Sequence, residues 1–95
     1  LKKYIQESET NMNKLYKAIE EKIKESGYPK EISGRDVYND ICDQIEDKEP
    51  GSYLLMSKKT DDVFFEYQVD VMEDQFNLGY VDIHEGGKVY HADFD

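Results

Sequence analysis

Apolar residues recur along the first third of the chain with helical spacing. Met12, Leu15, Tyr16, Ile19 and Ile23 fall on one arc when residues are set about 100° apart, which predicts an amphipathic helix. Ile5 extends that arc backward, while Ser8 and Thr10 each offer a cap for a later start, so the predicted start lies between Lys2 and Asn11. Ser26-Gly27 ends the helix, with Gly27 suited to the left-handed position after a helix C-terminus and Pro29 following two residues on. A second helix opens at Ser33, where Ser33 and Asp36 form an S-x-x-D capping signature. Val37, Tyr38, Ile41, Cys42 and Ile45 make its apolar arc. Asp36, Asp40, Asp43 and Asp47 lie opposite, within about 60° of one another, as the outer face of an amphipathic helix. Asp36 complements the helix dipole, but Glu46 and Asp47 at the other end oppose it, so helix stability does not account for the later acids.

The period changes at Pro50-Gly51, a turn signal. Tyr53 to Ser57 is a short apolar run and predicts a first strand, with a polar turn from Lys58 to Asp62. Val63, Phe65, Tyr67, Val69 and Val71 then alternate with Phe64, Glu66, Gln68, Asp70 and Met72, a period-two pattern that predicts the longest strand. Glu73-Asp74-Gln75 turns the chain into a third strand, Phe76 to His84, which Gly79 is expected to bulge or kink. Glu85-Gly86-Gly87 predicts a hairpin turn, because paired glycines accept positive φ, and Lys88 to Phe94 follows as a fourth strand. The expected fold is α+β: two N-terminal helices packed on one face of a four-stranded antiparallel meander, ααββββ. It is read as a single domain over 1–95, with a helical half over 1–49 and a β half over 52–95.

Composition narrows the class of function. A chain of 95 residues with 38% hydrophobic and 13% aromatic residues can bury one modest core. The net charge of -10 is unevenly spread: residues 1–34 hold seven bases and six acids, and residues 35–95 hold five bases and sixteen acids. Phosphate affinity comes from Lys and Arg, so direct binding to nucleic acid or to an anionic membrane is disfavoured. One cysteine, Cys42, permits no internal disulfide. No apolar run approaches the roughly 18 residues of a membrane span, and no signal peptide is visible, so a cytoplasmic protein is expected. The chain begins at Leu1 rather than Met.

The chemistry that remains is acidic. Glu66 and Asp70 share the polar side of the second strand, Asp82 joins them if the register past Gly79 allows, Asp93 and Asp95 share a parity with His91 on the last strand, and with the helix ladder these acids suggest a broad negative surface. Carboxylates one helical turn apart repeat about every 6 Å, comparable to phosphates along one nucleic-acid strand. The expected function is therefore a non-enzymatic binding protein, inhibitor or immunity-like, that docks on a basic protein such as a nuclease or nucleic-acid-binding protein. Its contact residues would be Asp36, Asp40, Asp43, Asp47, Glu66, Asp70 and Phe64, the last as an aromatic anchor unless it packs across strands against Tyr53, Leu55 or Tyr80. The alternative is a structural or accessory domain that self-associates as a homodimer, its acids serving solubility alone. His84 and His91 lie near facing positions of the last hairpin, and with Glu85, Asp93 or Cys42 they offer ligand atoms, but no metal-binding spacing is present. No metal, cofactor or enzymatic activity is expected. Cys42 sits on an apolar arc, where a small buried hydrophobe is the ordinary role.

Overall fold

A computed structural model describes residues 9–94. Two helices, α1 (Glu9–Glu25) and α2 (Gly34–Ile45), precede four strands, β1 (Gly51–Lys58), β2 (Val63–Val71), β3 (Phe76–Glu85) and β4 (Lys88–Asp93). The strands form one antiparallel sheet in the order β1-β2-β3-β4. The expected α+β meander is therefore the observed one, with strand ends shifted by one or two residues. Both helices cover the same face of the sheet, α1 over β4 and α2 over β1.

The period-two pattern of β2 decides which face they cover. Phe65, Tyr67, Val69 and Val71 are buried and meet Ile19 and Ile23 of α1 and Val37, Tyr38, Ile41 and Ile45 of α2. Two rows run straight across this inner face: Leu55, Tyr67, Val81 and Ala92, then Ser57, Phe65, Ile83 and Tyr90. Each fully buried aliphatic or aromatic side chain contributes about 1.5–3 kcal/mol relative to exposure, which is why this layer dominates stability.

Local chemistry sets the joints. Ser33 caps α2, its hydroxyl accepting the Asp36 N–H at 3.2 Å, as the S-x-x-D signature requires. Gly34, the first residue of α2, packs directly on the backbone of α1: a Cβ there would lie 2.0 Å from the Tyr16 carbonyl oxygen. Gly86 and Gly87 both take positive φ, 57° and 82°, and close a two-residue hairpin that pairs Glu85 with Lys88. Gly79 is a bulge. Gln68 pairs with Tyr80 but Val69 pairs with Leu78, so the alternation of β3 flips at that glycine.

Three helix expectations change. Leu15 is exposed, because it sits on the flank of the α1 arc while Ile19 and Ile23 hold its centre. Thr10 lies inside α1 and so does not cap it; Ile5, Ser8 and Asp95 lie outside the described residues. Asp47 lies beyond the end of α2, which stops at Ile45 with Glu46 as its C-cap. No helix among the described residues is long and apolar enough to cross a membrane.

Candidate functional site

The expected acidic ladder is broken at two of its four rungs. Asp40 is turned inward. It accepts hydrogen bonds from the Tyr67 hydroxyl at 2.9 Å, the Lys59 ammonium at 3.2 Å and the Gln44 side-chain amide at 3.2 Å. Of the three helical aspartates it stands nearest the apolar arc, beside Val37 and Ile41, and so it reaches the sheet. Burial alone would raise its carboxyl pKa; hydrogen bonds from Ser57, Tyr67 and Gln44, with the Lys59 charge, outweigh that and hold it below the ordinary value. Burial and the Asp40 charge push the Tyr67 phenol well up. Asp40 is thus part of the clasp between α2, the β1–β2 turn and the core. Asp47 is off the helix, leaving Asp36 and Asp43 as the exposed aspartates of α2.

Nor do the ladder and the acids of β2 make one surface. Glu66 and Asp70 alternate with the buried residues of β2 and so point away from the helices. That outer face has three full rows: Leu54, Gln68, Tyr80 and Asp93; Met56, Glu66, Asp82 and His91; and Lys58, Phe64, His84 and Val89. A shorter row holds Ser52, Asp70 and Asn77. Asp70 accepts from Ser52 at 2.5 Å and from Gln68 at 3.1 Å, and these two bonds lower its pKa. Phe64 is half-buried and stacks on His84, its partner across β2 and β3, with ring centroids 4.2 Å apart and planes 7° apart. Cross-strand packing is its fate, though with His84 rather than Tyr53, Leu55 or Tyr80. The apolar exposure lies at the two sheet edges, where Leu54, Met56 and Val89 are 58%, 54% and 56% exposed.

At the centre of the outer face two carboxylates confront each other. Glu66 and Asp82 are direct partners on β2 and β3. His84 Nε2 stands 3.3 Å from Glu66 Oε1, and His91 Nδ1 stands 2.5 Å from Asp82 Oδ1. The Glu66 and Asp82 side chains are only 21% and 19% exposed. Single ligand atoms of Glu66, Asp82 and His84 all lie within 4.8 Å of one another. Burial, with the nearby Glu66 and Asp82 charges, raises the pKa of the neighbouring Tyr80 phenol. The two histidines lie near each other on this face but not directly opposite: His84 pairs with Val89, and His91, two residues on, pairs with Asp82. Of the ligand atoms expected from the sequence only that of His84 is in this group; Glu66 and Asp82, expected as surface acids, take the places of Glu85, Asp93 and Cys42. A two-residue turn at Gly86-Gly87 fixes the pairing of Asp82 with His91 by counting alone.

Other titratable groups have structural work. Glu85 accepts from the Tyr28 hydroxyl at 2.7 Å and from Lys30 at 3.0 Å, which fastens the segment between the helices to the last hairpin and lowers the Glu85 pKa. Burial pushes the Tyr28 hydroxyl up to about 12. Cys42 is half-buried on α2, and burial pushes its thiol up to about 11. A shallow groove of about 790 Å³ beside the C-terminal half of α1 mixes Lys17, Lys24 and Lys30 with Glu20, Glu21 and Glu31, and so presents no single sign of charge. No family model, curated protein or solved structure matches this chain.

Proposed function

We propose that this chain is a non-enzymatic binding protein that docks a cationic protein surface on the outer face of its sheet. The observation that carries the reading is a sheet face that no helix among the described residues covers and whose charge is one-sided. Among the described residues, Glu66, Asp70 and Asp82 of this face stand against the ammonium of Lys58, leaving -2 with both histidines neutral. The partner is cationic because a flat face of this sign steers and orients positive charge, giving rapid, salt-sensitive association. Apolar contact at the Leu54–Met56 edge adds the dehydrated area that charge alone lacks. The helix ladder is not part of this surface, since α2 lies on the opposite side of the sheet.

The test compares three immobilised proteins in extract from the native source: the wild type, Leu54→Lys/Asp70→Lys, and Asp36→Lys/Asp43→Lys. The reading expects a basic protein held by the wild type at low salt and released at high salt. It expects that protein to be lost on the sheet-face variant and kept on the helix-face variant. Equal retention by wild type and sheet-face variant refutes it. Sedimentation of the wild type at several concentrations tests the alternative. A homodimer that survives high salt and is broken by Leu54→Lys/Asp70→Lys would mean that a second copy covers this face.

A further inference from the structure

We infer that Glu66, Asp82 and His84 form a binding site for a divalent transition-metal ion of the zinc type. Like charges set directly opposite on neighbouring strands destabilise a sheet, yet Glu66 and Asp82 are placed that way and half-buried as well. Each carboxylate has one histidine against it, and a neutral imidazole brings a single N–H where a divalent cation would neutralise both acids. The three donor atoms already converge within 4.8 Å. A tetrahedral ion about 2.1 Å from each donor needs them about 3.4 Å apart, a closure that side-chain rotation supplies.

The supporting residues hold this geometry. Phe64 stacks flat on His84 and fixes the plane of the ring whose Nε2 faces Glu66. His91 grips Asp82 from the β4 side and orients that carboxylate, the positioning role that partners of metal ligands commonly play. One imidazole with two carboxylates suits zinc and its neighbours; calcium and magnesium demand more oxygen ligands than three strand side chains offer. The ligands come from β2 and β3, neighbouring paired strands whose register sets their spacing. This inference does not rest on the docking reading, because a chain that meets no basic partner can still hold the ion.

The experiment is a titration of the untagged protein with Zn²⁺, followed by the imidazole resonances of His84 and His91 and by calorimetry, with Mg²⁺ as the comparison ion. One equivalent of Zn²⁺ should shift His84 strongly, while Mg²⁺ at the same concentration leaves it in place. His84→Gln and Asp82→Asn should each weaken Zn²⁺ binding at least tenfold with the thermal transition of the metal-free protein retained. His91→Gln should weaken it by a smaller factor. His84 resonances that stay put with excess Zn²⁺, or undiminished affinity in both His84→Gln and Asp82→Asn, would overturn the site. Should one variant fail to fold, the resonance shift of the wild type and the other variant still decide.

Discussion

Asp40 and Asp43 look alike in the sequence, one helical turn apart on the same ladder, and the fold separates them by energy. Removing Asp40 by Asp40→Ala takes the acceptor from the Tyr67 hydroxyl, which belongs to a completely buried side chain. A hydrogen bond to a charged group contributes about 1.5–3 kcal/mol. The Lys59 pair is partly exposed and adds at most about 1 kcal/mol. Together Asp40→Ala should cost about 2–4 kcal/mol. At about 4–8 °C per kcal/mol for a domain of this size, Tm should fall by roughly 8–32 °C. Asp43→Ala removes an exposed carboxylate and should stay within about 0.5 kcal/mol of wild type. Urea unfolding of both variants, with Tyr67→Phe and the Asp40→Ala/Tyr67→Phe double variant to close the cycle, measures the difference and the coupling. Equal stability of the Asp40 and Asp43 variants, or strict additivity in the cycle, would refute the clasp.

The same carboxylate sets an acid response. Its pKa is below the ordinary 3.8, so its contribution is full above that unfolded-state value and is lost as pH falls through the lower folded-state value. Wild type should therefore lose more stability below about pH 4 than Asp40→Asn, and matching acid-unfolding profiles would count against the pairing. Gly34→Ala should destabilise by at least about 3 kcal/mol despite alanine's better helix propensity, because the new methyl overlaps backbone of α1 rather than a side chain that can move aside; a neutral result in urea would mean the helices do not cross there. Cys42, with its thiol pushed up to about 11, should react with iodoacetamide at neutral pH far more slowly in the native than in the unfolded protein, and equal rates would contradict its burial.

Much of the fold was legible because period and turn chemistry agree. The alternation from Val63 to Met72 fixes which side of β2 is core, Ser33 with Asp36 fixes the start of α2, and Gly86-Gly87 fixes the last hairpin. The acidic surface was not legible to the same degree, for two reasons. An angular plot of α2 places Asp40 with Asp36 and Asp43 but cannot weigh a side chain at the margin of the arc, where a buried tyrosine on β2 draws it in. A list of acids by strand also cannot say that β2 turns Glu66 and Asp70 away from the helices that carry the ladder. The Glu66–Asp82 pairing turned on Gly79, where the sequence left the register open: counting back from the β2–β3 turn through Val71–Phe76 and Val69–Leu78 gives the wrong partner until the bulge restores the step at Gln68–Tyr80. Motifs of fixed spacing do not register such a cluster either, since the three donor atoms sit on two strands and meet through register rather than through sequence distance.

The proposed docking surface and the proposed metal site draw on the same side chains, and this ties their free energies together. An ion held between Glu66 and Asp82 adds two positive charges and takes the outer face, counted over Glu66, Asp70, Asp82 and Lys58, from -2 to neutral. A cationic partner that relies on those two carboxylates then meets less attraction and finds its contacts already engaged. By linkage the partner lowers the affinity for the ion by the same factor. A partner seated instead on the Leu54–Met56 edge and Asp70 keeps most of its contact in either state, because these residues lie outside the Glu66–Asp82–His84 group. The sensitivity of docking to zinc therefore reports where on the sheet the partner sits: strong antagonism places it over the β2–β3 centre, and indifference places it at the β1 edge.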